Sequence, residues 1–194
     1  GEFNHTNSGD WSTISGRSNY SNSGDYSSIS GKNNVSNSGN YSVISGYEAG
    51  NNTLDYSRVH GGGNDARIID SVAKTSTSDA TPRTLTLGGN TESATNRINI
   101  PTDTAWAFTA TIITKDSTSS KIQMWVRQGL IYNDGGTTTL DGVVGVGADR
   151  DVGSLGASIA ITADNTNNAL KIQGIGVAST DLNWSARIDI TQVG

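Results

Sequence analysis

The chain has 194 residues, a net charge of −5, 24 glycines, two prolines and no cysteine. The missing thiol excludes a disulfide framework and a thiolate metal site. The acidic balance argues against a phosphate-binding surface and so against a nucleic-acid partner. No apolar run approaches the ~20 residues that cross a bilayer, so membrane insertion is not expected. Only 33% of residues are hydrophobic and 16% charged, so the polarity comes from Ser, Thr and Asn. That composition suits an extracellular or virion β-protein.

Gly1-Glu2-Phe3 reads as a cloning scar. Residues 1–3 are therefore set aside, and the rest is expected to be a piece of a longer protein. The next signal is a repeat. Ser8-Gly9-Asp10-Trp11-Ser12-Thr13-Ile14-Ser15-Gly16 recurs from Ser23 to Gly31 and from Ser38 to Gly46, each copy 15 residues after the last. A decayed fourth copy, Thr53-Leu54-Asp55-Tyr56-Ser57-Arg58-Val59-His60-Gly61, keeps the register, and the spacer residues Asn22, Asn37 and Asn52 align. A fixed short period signals a solenoid, and this density of Gly, Ser and Asn disfavours helix.

Stacking one copy per turn at about 4.8 Å lines up equivalent residues. One ladder is Trp11, Tyr26, Tyr41 and Tyr56; another is Ile14, Ile29, Ile44 and Val59. Three residues apart on a strand, the two ladders point to opposite faces. Each turn supplies few large apolar side chains, at about 1.5–3 kcal/mol each when buried. Ordering the backbone costs about 1–2 kcal/mol per residue. A second face buried against other copies closes part of that gap, so self-association is expected.

After Gly61-Gly62-Gly63, read as a hinge, the pattern changes to alternating strands at 66–72, 84–87, 97–100, 106–114, 121–132, 137–147, 158–163, 169–177 and 184–193. Turn clusters separate them, and the set predicts a sandwich or jelly roll. Alternation places Trp106, Phe108, Ala110 and Ile112 in the core, with Ile122, Met124 and Val126 beside them. Trp184, Ala186, Ile188 and Ile190 form another buried set. On the second of these strands the polar face carries Lys121, Gln123, Trp125 and Arg127.

The Ser-x-Ile-Ser-Gly repeats with Asn/Ser-rich spacers resemble the head repeats of trimeric autotransporter adhesins, and similar repeats occur in phage fibres. Residues 105–113, 158–170 and 184–191, with Trp125 and Gly129-Leu130-Ile131, resemble the C-terminal region of bacteriophage tail fibres. These resemblances imply an all-β chain. Residues 4–64 would form a trimeric left-handed β-roll or solenoid shaft, and residues 65–194 a jelly-roll-like β-sandwich tip. They imply a homotrimer in the virion tail, partnered by other tail proteins. Its task would be receptor binding at a bacterial surface polysaccharide or lipopolysaccharide, with no cofactor. The alternatives are the head of a bacterial trimeric adhesin and a fragment of a glycan-depolymerising tailspike.

No catalytic group stands out. His5 adjoins the scar, and His60 occupies a repeat position held by Ser15, Ser30 and Ser45. A Ser-His-Asp site needs a positioned His, and a glycosidase needs two placed carboxylates. The Asp residues fall mostly in turns, so the chain is expected not to be an enzyme. Asp164-Asn165-Thr166-Asn167-Asn168 and Asp149-Arg150-Asp151 carry oxygen ligands without EF-hand spacing, and turn chemistry explains them. No metal site is expected. Glycan contact is the sharper expectation, because aromatic faces with polar neighbours suit sugars. Trp125, Gln123 and Arg127 meet that description, as does an outward Trp11–Tyr56 ladder. Loop residues Asn133, Asp134, Asp149 and Asp151 complete the candidate receptor-binding set.

Overall fold

The computed structural model describes residues 3–62, 66–94 and 96–194. The Gly1-Glu2 part of the scar, the end of the hinge at Gly63 and the expected domain boundary at 64–65 lie outside the described residues. Every regular element among those described is a β-strand. The chain divides into two compact units, Gly1–Ser71 with Asp189–Gly194, and Val72–Ile188.

In the first unit the repeats form a β-solenoid. Strands β1 (Thr13–Ile14), β3 (Ser28–Ile29), β5 (Val43–Tyr47) and β7 (Ser57–Gly62) stack in parallel. Strands β2 (Ser21–Asn22), β4 (Ser36–Asn37) and β6 (Asn51–Asn52) stack in a second wall. The register is the sequence period: Ile14 pairs Ile29, Ile29 pairs Ile44, and Ile44 pairs Val59. Single bridges from Arg17 to Lys32 and from Lys32 to Tyr47 mark a third line of contact. Most rungs are only two residues long because Gly and Asn turns bracket them. At Gly31 the backbone has φ +106°, and a Cβ there would run into the backbone of Gly46, so the position requires glycine. The last rung closes on the first part of β8 (Ala66–Thr77), antiparallel, with Val59 opposite Ile69.

The aliphatic ladder points inward: Ile29, Ile44 and Val59 are buried. Most of the remaining interior is polar. Asn19, Asn34, Asn22, Asn37, Ser27 and Ser42 are all buried. Each Asn serves two rungs. Asn19 Oδ1 accepts from the Asn34 N–H and from Asn34 Nδ2, both at 3.1 Å, and Asn34 Oδ1 accepts from the Ala49 N–H at 2.9 Å. In the second wall Ser27 Oγ donates to Asn22 Oδ1 and Ser42 Oγ to Asn37 Oδ1, each at 2.7 Å. Buried polar atoms are tolerable when each finds a partner, and the 15-residue repeat supplies one from rung to rung, except at the decayed last copy, where the buried Asn52 Nδ2 has none. This interior of Asn and Ser was not foreseen, since hydropathy reads those residues as surface.

The second unit contains two sheets. Strands β9 (Arg83–Thr84), β10 (Thr86–Leu87) and β11 (Ile98–Asn99) are short; β12 (Thr104–Asp116) and β13 (Ile122–Asp134) form a long hairpin. They are followed by β14 (Thr137–Gly145), β15 (Arg150–Val152), β16 (Ser158–Asp164), β17 (Ala169–Ile175) and β18 (Leu182–Val193). One sheet runs β18-β12-β13-β14, with β15 on β13; the other runs β11-β17-β16, with β9 on β17. Trp106, Phe108, Ala110 and Ile112 are buried, as are Trp184, Ala186 and Ile188, as the alternation requires. The two sheets meet where Gly174 of β17 lies against the Trp184 indole, with room for no side chain.

The β13 reading is corrected. Trp125, expected on the polar face, is buried, whereas Ile122, Met124 and Val126, expected in the core, are only half-buried. Pairing explains it: Ile112 lies opposite Trp125, Phe108 opposite Gly129 and Trp106 opposite Ile131, and opposed residues share a face. A bulge at Gly129/Leu130 interrupts the β13–β14 register. A Cβ on Gly129 would sit 2.7 Å from the Phe108 ring, so the strand bends where it has no side chain.

Candidate functional site

The strand β13 and the segment that returns to its edge position most of the expected receptor-contact residues. Trp125 is 3% exposed and stacks on Trp184, centroids 5.7 Å apart and planes 13° from parallel. Its indole is a core group and presents no face to a ligand. The polar neighbours are covered from the same side. Gln123 Oε1 accepts the Ala157 N–H at 3.0 Å, and Arg127 makes a two-pronged pair with Asp149 at 2.7 and 2.8 Å. Asp151 Oδ1 accepts the Leu155 N–H at 2.9 Å and pins the same segment. The Asp149 carboxylate, hydrogen-bonded by Arg127, is held below its ordinary pKa, and the Arg127 guanidinium is raised by the same bond.

Gln123, Trp125, Arg127, Asp149 and Asp151 thus come together, as a buttress for the 146–157 segment. Asn133 and Asp134 do not join them. Eight residues along a strand separate Asn133 from Trp125, about 27 Å at ~3.4 Å per residue. Asn133 is buried, where Nδ2 donates to the Ile100 carbonyl at 2.9 Å. It is a structural residue. Asp134 is exposed beside the Gly135-Gly136 turn and remains accessible. The Asp164–Asn168 turn is occupied by its own bonds: Asp164 Oδ2 accepts from Asn167 Nδ2 at 2.8 Å, and Asn165 Oδ1 accepts the Thr138 N–H at 2.9 Å. Asn167 lowers the Asp164 pKa through that side-chain bond. Among the described residues no three His, Cys, Asp or Glu side chains converge.

The aromatic ladder of the solenoid faces outward, with Trp11 82%, Tyr26 54%, Tyr41 52% and Tyr56 40% exposed. Tyr26 stacks on Tyr41 at 5.0 Å and Tyr41 on Tyr56 at 4.9 Å. The stacking was legible as a ladder, but not its backbone. Each of these aromatics has a left-handed φ, between 51° and 54°, so it sits on a turn ahead of the strand. Below the ladder, Asp25 Oδ1 accepts the Asp10 N–H, Asn40 Oδ1 the Asp25 N–H and Asp55 Oδ1 the Asn40 N–H. Stacked rings cover one another's faces. The ladder therefore offers ring edges and a row of phenol hydroxyls to a neighbour, with Trp11 the most exposed ring.

No protein-family model matches the chain, and no curated protein matches it. Solved structures that resemble it include two phage tailspikes. The tailspike gp49 of Acinetobacter baumannii bacteriophage Fri1, a capsular polysaccharide depolymerase, is 10% identical with a TM-score of 0.36. That match covers 98% of this chain and 36% of the tailspike. The Acinetobacter baumannii phage AM24 tailspike is 8% identical with a TM-score of 0.29, over 61% of this chain and 26% of its own. The chain thus spans about a third or less of the proteins it resembles. The expectation of a non-enzymatic chain is corrected here, because a described depolymerase stands among these similar structures. The absence of a triad His does not bear on glycan cleavage, which uses carboxylates.

Proposed function

We propose that the chain is a segment of a phage tail fibre or tailspike that attaches the virion to a bacterial surface polysaccharide or lipopolysaccharide. The observation that carries the reading is the solenoid itself: four 15-residue rungs in register, held by internal Asn and Ser ladders, with an aromatic row turned outward. Such a stack is a stiff spacer, suited to carrying a recognition unit away from a particle. The sequence resemblance of residues 4–64 to the head repeats of trimeric adhesins, a kind of repeat also found in phage fibres, and of residues 65–194 to the C-terminal region of tail fibres supports the same role.

In this reading three copies associate, the repeats as left-handed rolls and residues 65–194 as a β-sandwich tip. Support comes from apolar surface left uncovered on one chain. In the second unit Ile113, Leu130 and Tyr132 share one face of the β12–β13 hairpin, and Val144 and Val152 flank it, from 36% to 63% exposed. Contiguous exposed apolar surface marks an association site. Three sites on one assembly raise avidity through effective concentration.

The test is retention of the purified chain on immobilised capsular polysaccharides and lipopolysaccharides from a panel of bacteria, read by biolayer interferometry. Saturable retention on at least one glycan is expected, and reducing-end release from that glycan reports whether binding is accompanied by cleavage. Failure on every glycan, at concentrations where the chain is associated, would overturn the attachment role.

A further inference from the structure

A cavity of about 390 Å³ opens in the unit Val72–Ile188, at the end of its larger sheet. Its floor is fixed: Thr77 and Leu182 are buried, and Thr77 Oγ1 accepts from Trp184 Nε1 at 3.0 Å. Its rim is polar and comes from four places in the chain. Ser76 and Ser78 lie at the end of β8, Arg83 begins β9, Ser117 follows β12, and Asp181 and Asn183 flank Leu182 at the start of β18. Backbone bonds hold the rim in position. The Ser117 N–H donates to the Asp181 carbonyl at 2.9 Å, Thr114 Oγ1 donates to the Asn183 carbonyl at 3.0 Å, and Arg83 pairs with Gly174 on β17.

The rim side chains make no hydrogen bond of their own. Among the described residues, none of Ser76, Ser78, Ser117, Asp181 and Asn183 shows a side-chain hydrogen bond or ion pair within the chain, and Arg83 shows only a longer-range attraction to the Asp79 carboxylate, whose pKa it helps to lower. A surface residue pointing into water needs no partner. Six such groups converging on one cavity with a rigid floor form an arrangement with a ligand's worth of unused donors and acceptors. Their chemistry is mixed: three hydroxyls, one carboxamide, one guanidinium and one carboxylate. A bare phosphate or carboxylate would meet Asp181, and an apolar ligand would find only the buried Leu182. A sugar hydroxyl donates and accepts at once, so it suits every member of the set.

The geometry points to a saccharide-binding site in this cavity, taking one or two pyranose units of a polysaccharide, with Arg83 and Asn183 as the orienting donors. It rests on the attachment reading and names where that glycan would be held. The volume is at the small end of ligand cavities, ~300–1,000 Å³, which fits one or two rings and excludes a longer buried oligosaccharide. Longer chains would run out over Ser78 and Ser117, both exposed.

The test uses the full-length chain, isotope-labelled, with methyl glycosides of glucose, galactose, mannose and N-acetylglucosamine and with sodium glucuronate as probes. Amide shifts are followed by transverse-relaxation-optimised NMR, alongside polysaccharide retention of the wild type and of Arg83→Ala, Asn183→Ala and Ser78→Ala. All three positions are solvent-exposed, so the variants should fold. The expected result is saturable shifts at Ser78, Arg83, Ser117 and Asn183 with at least one probe. Arg83→Ala should weaken retention at least tenfold, while Lys32→Ala in the solenoid leaves it unchanged. Retention of a polysaccharide with no shift at these amides, and with full affinity in Arg83→Ala, overturns this site and leaves the attachment role standing. Absence of both shifts and retention overturns both.

Discussion

Replacing Asn37 with Ala tests whether buried side-chain amides hold the solenoid together. Asn37 is 0% exposed, accepts from Ser42 Oγ at 2.7 Å, and gives Nδ2 to the Ser28 and Ser42 carbonyls at 3.3 and 3.4 Å. Ser42 Oγ keeps a second acceptor, the Gly39 carbonyl, and the Ser42 carbonyl keeps the Ser28 N–H. The substitution therefore strips one strong bond and two long ones and leaves a void of a few atoms. A buried group losing its partner costs about 1–3 kcal/mol, and the void adds to it, for a total of about 2–4 kcal/mol. That is a large part of the ~5–15 kcal/mol of a typical domain. Asn37→Asp should be worse at neutral pH, because a carboxylate would replace the amide facing two carbonyl oxygens. Asn37→Leu separates volume from hydrogen bonding, since it fills the space and supplies no bond. Urea unfolding followed by tyrosine fluorescence and far-UV circular dichroism gives the three numbers. If Asn37→Leu is as stable as the wild type, the polar interior is not what holds the rungs.

Other perturbations follow from single contacts. Trp125→Ala should cost about 3–5 kcal/mol, as a buried aromatic truncation does, measured as a fall in the urea midpoint; an unchanged midpoint would contradict the Trp125–Trp184 stack. Asp116 is hydrogen-bonded by Ser119, by the Thr118 backbone and by the Thr118 hydroxyl, which hold its pKa at about 2. The folded value lies below the ~3.9 of an unfolded Asp. The stability it contributes is therefore full above about pH 4 and is lost as pH falls toward 2. Asp116→Asn should lower the melting temperature at pH 7 and flatten its dependence over that window. The Arg127–Asp149 pair is partly exposed, with side chains 19% and 44% accessible. Asp149→Asn should therefore cost only about 0.2–1 kcal/mol, less at high salt, while loosening the 146–157 segment in hydrogen exchange.

The repeat was legible because identical residues recur at identical spacing, and stacking turns that spacing directly into register. Trp106 to Ile112 and Trp184 to Ile190 were legible because each strand alternates cleanly between apolar and polar. β13 was not, because both of its faces carry apolar residues. Gln123 and Arg127 look solvated in one dimension, yet a segment more than twenty residues later supplies their partners, the Ala157 N–H and Asp149. A period-two reading contains no term for that cover. The short strand β15 escaped for the same reason: Arg150–Val152 pairs with β13 from within a stretch that reads as a turn. In the solenoid the sequence showed which residues align but not that Asn and Ser fill the interior, since that depends on one rung bonding the next. The cavity rim was out of reach of sequence, because its six side chains come from four separate segments and form no motif.

The most direct test of the account is the solution mass of the purified chain by multi-angle light scattering. A mass near three times 20.2 kDa, unchanged on dilution, is the expected result. Three copies would cover the exposed apolar face of β12–β15 and present three attachment sites on one assembly. A monodisperse particle of 20.2 kDa would contradict it. The uncovered apolar face and the outward aromatic row would then have no second copy to meet, and the fibre reading would fall with them.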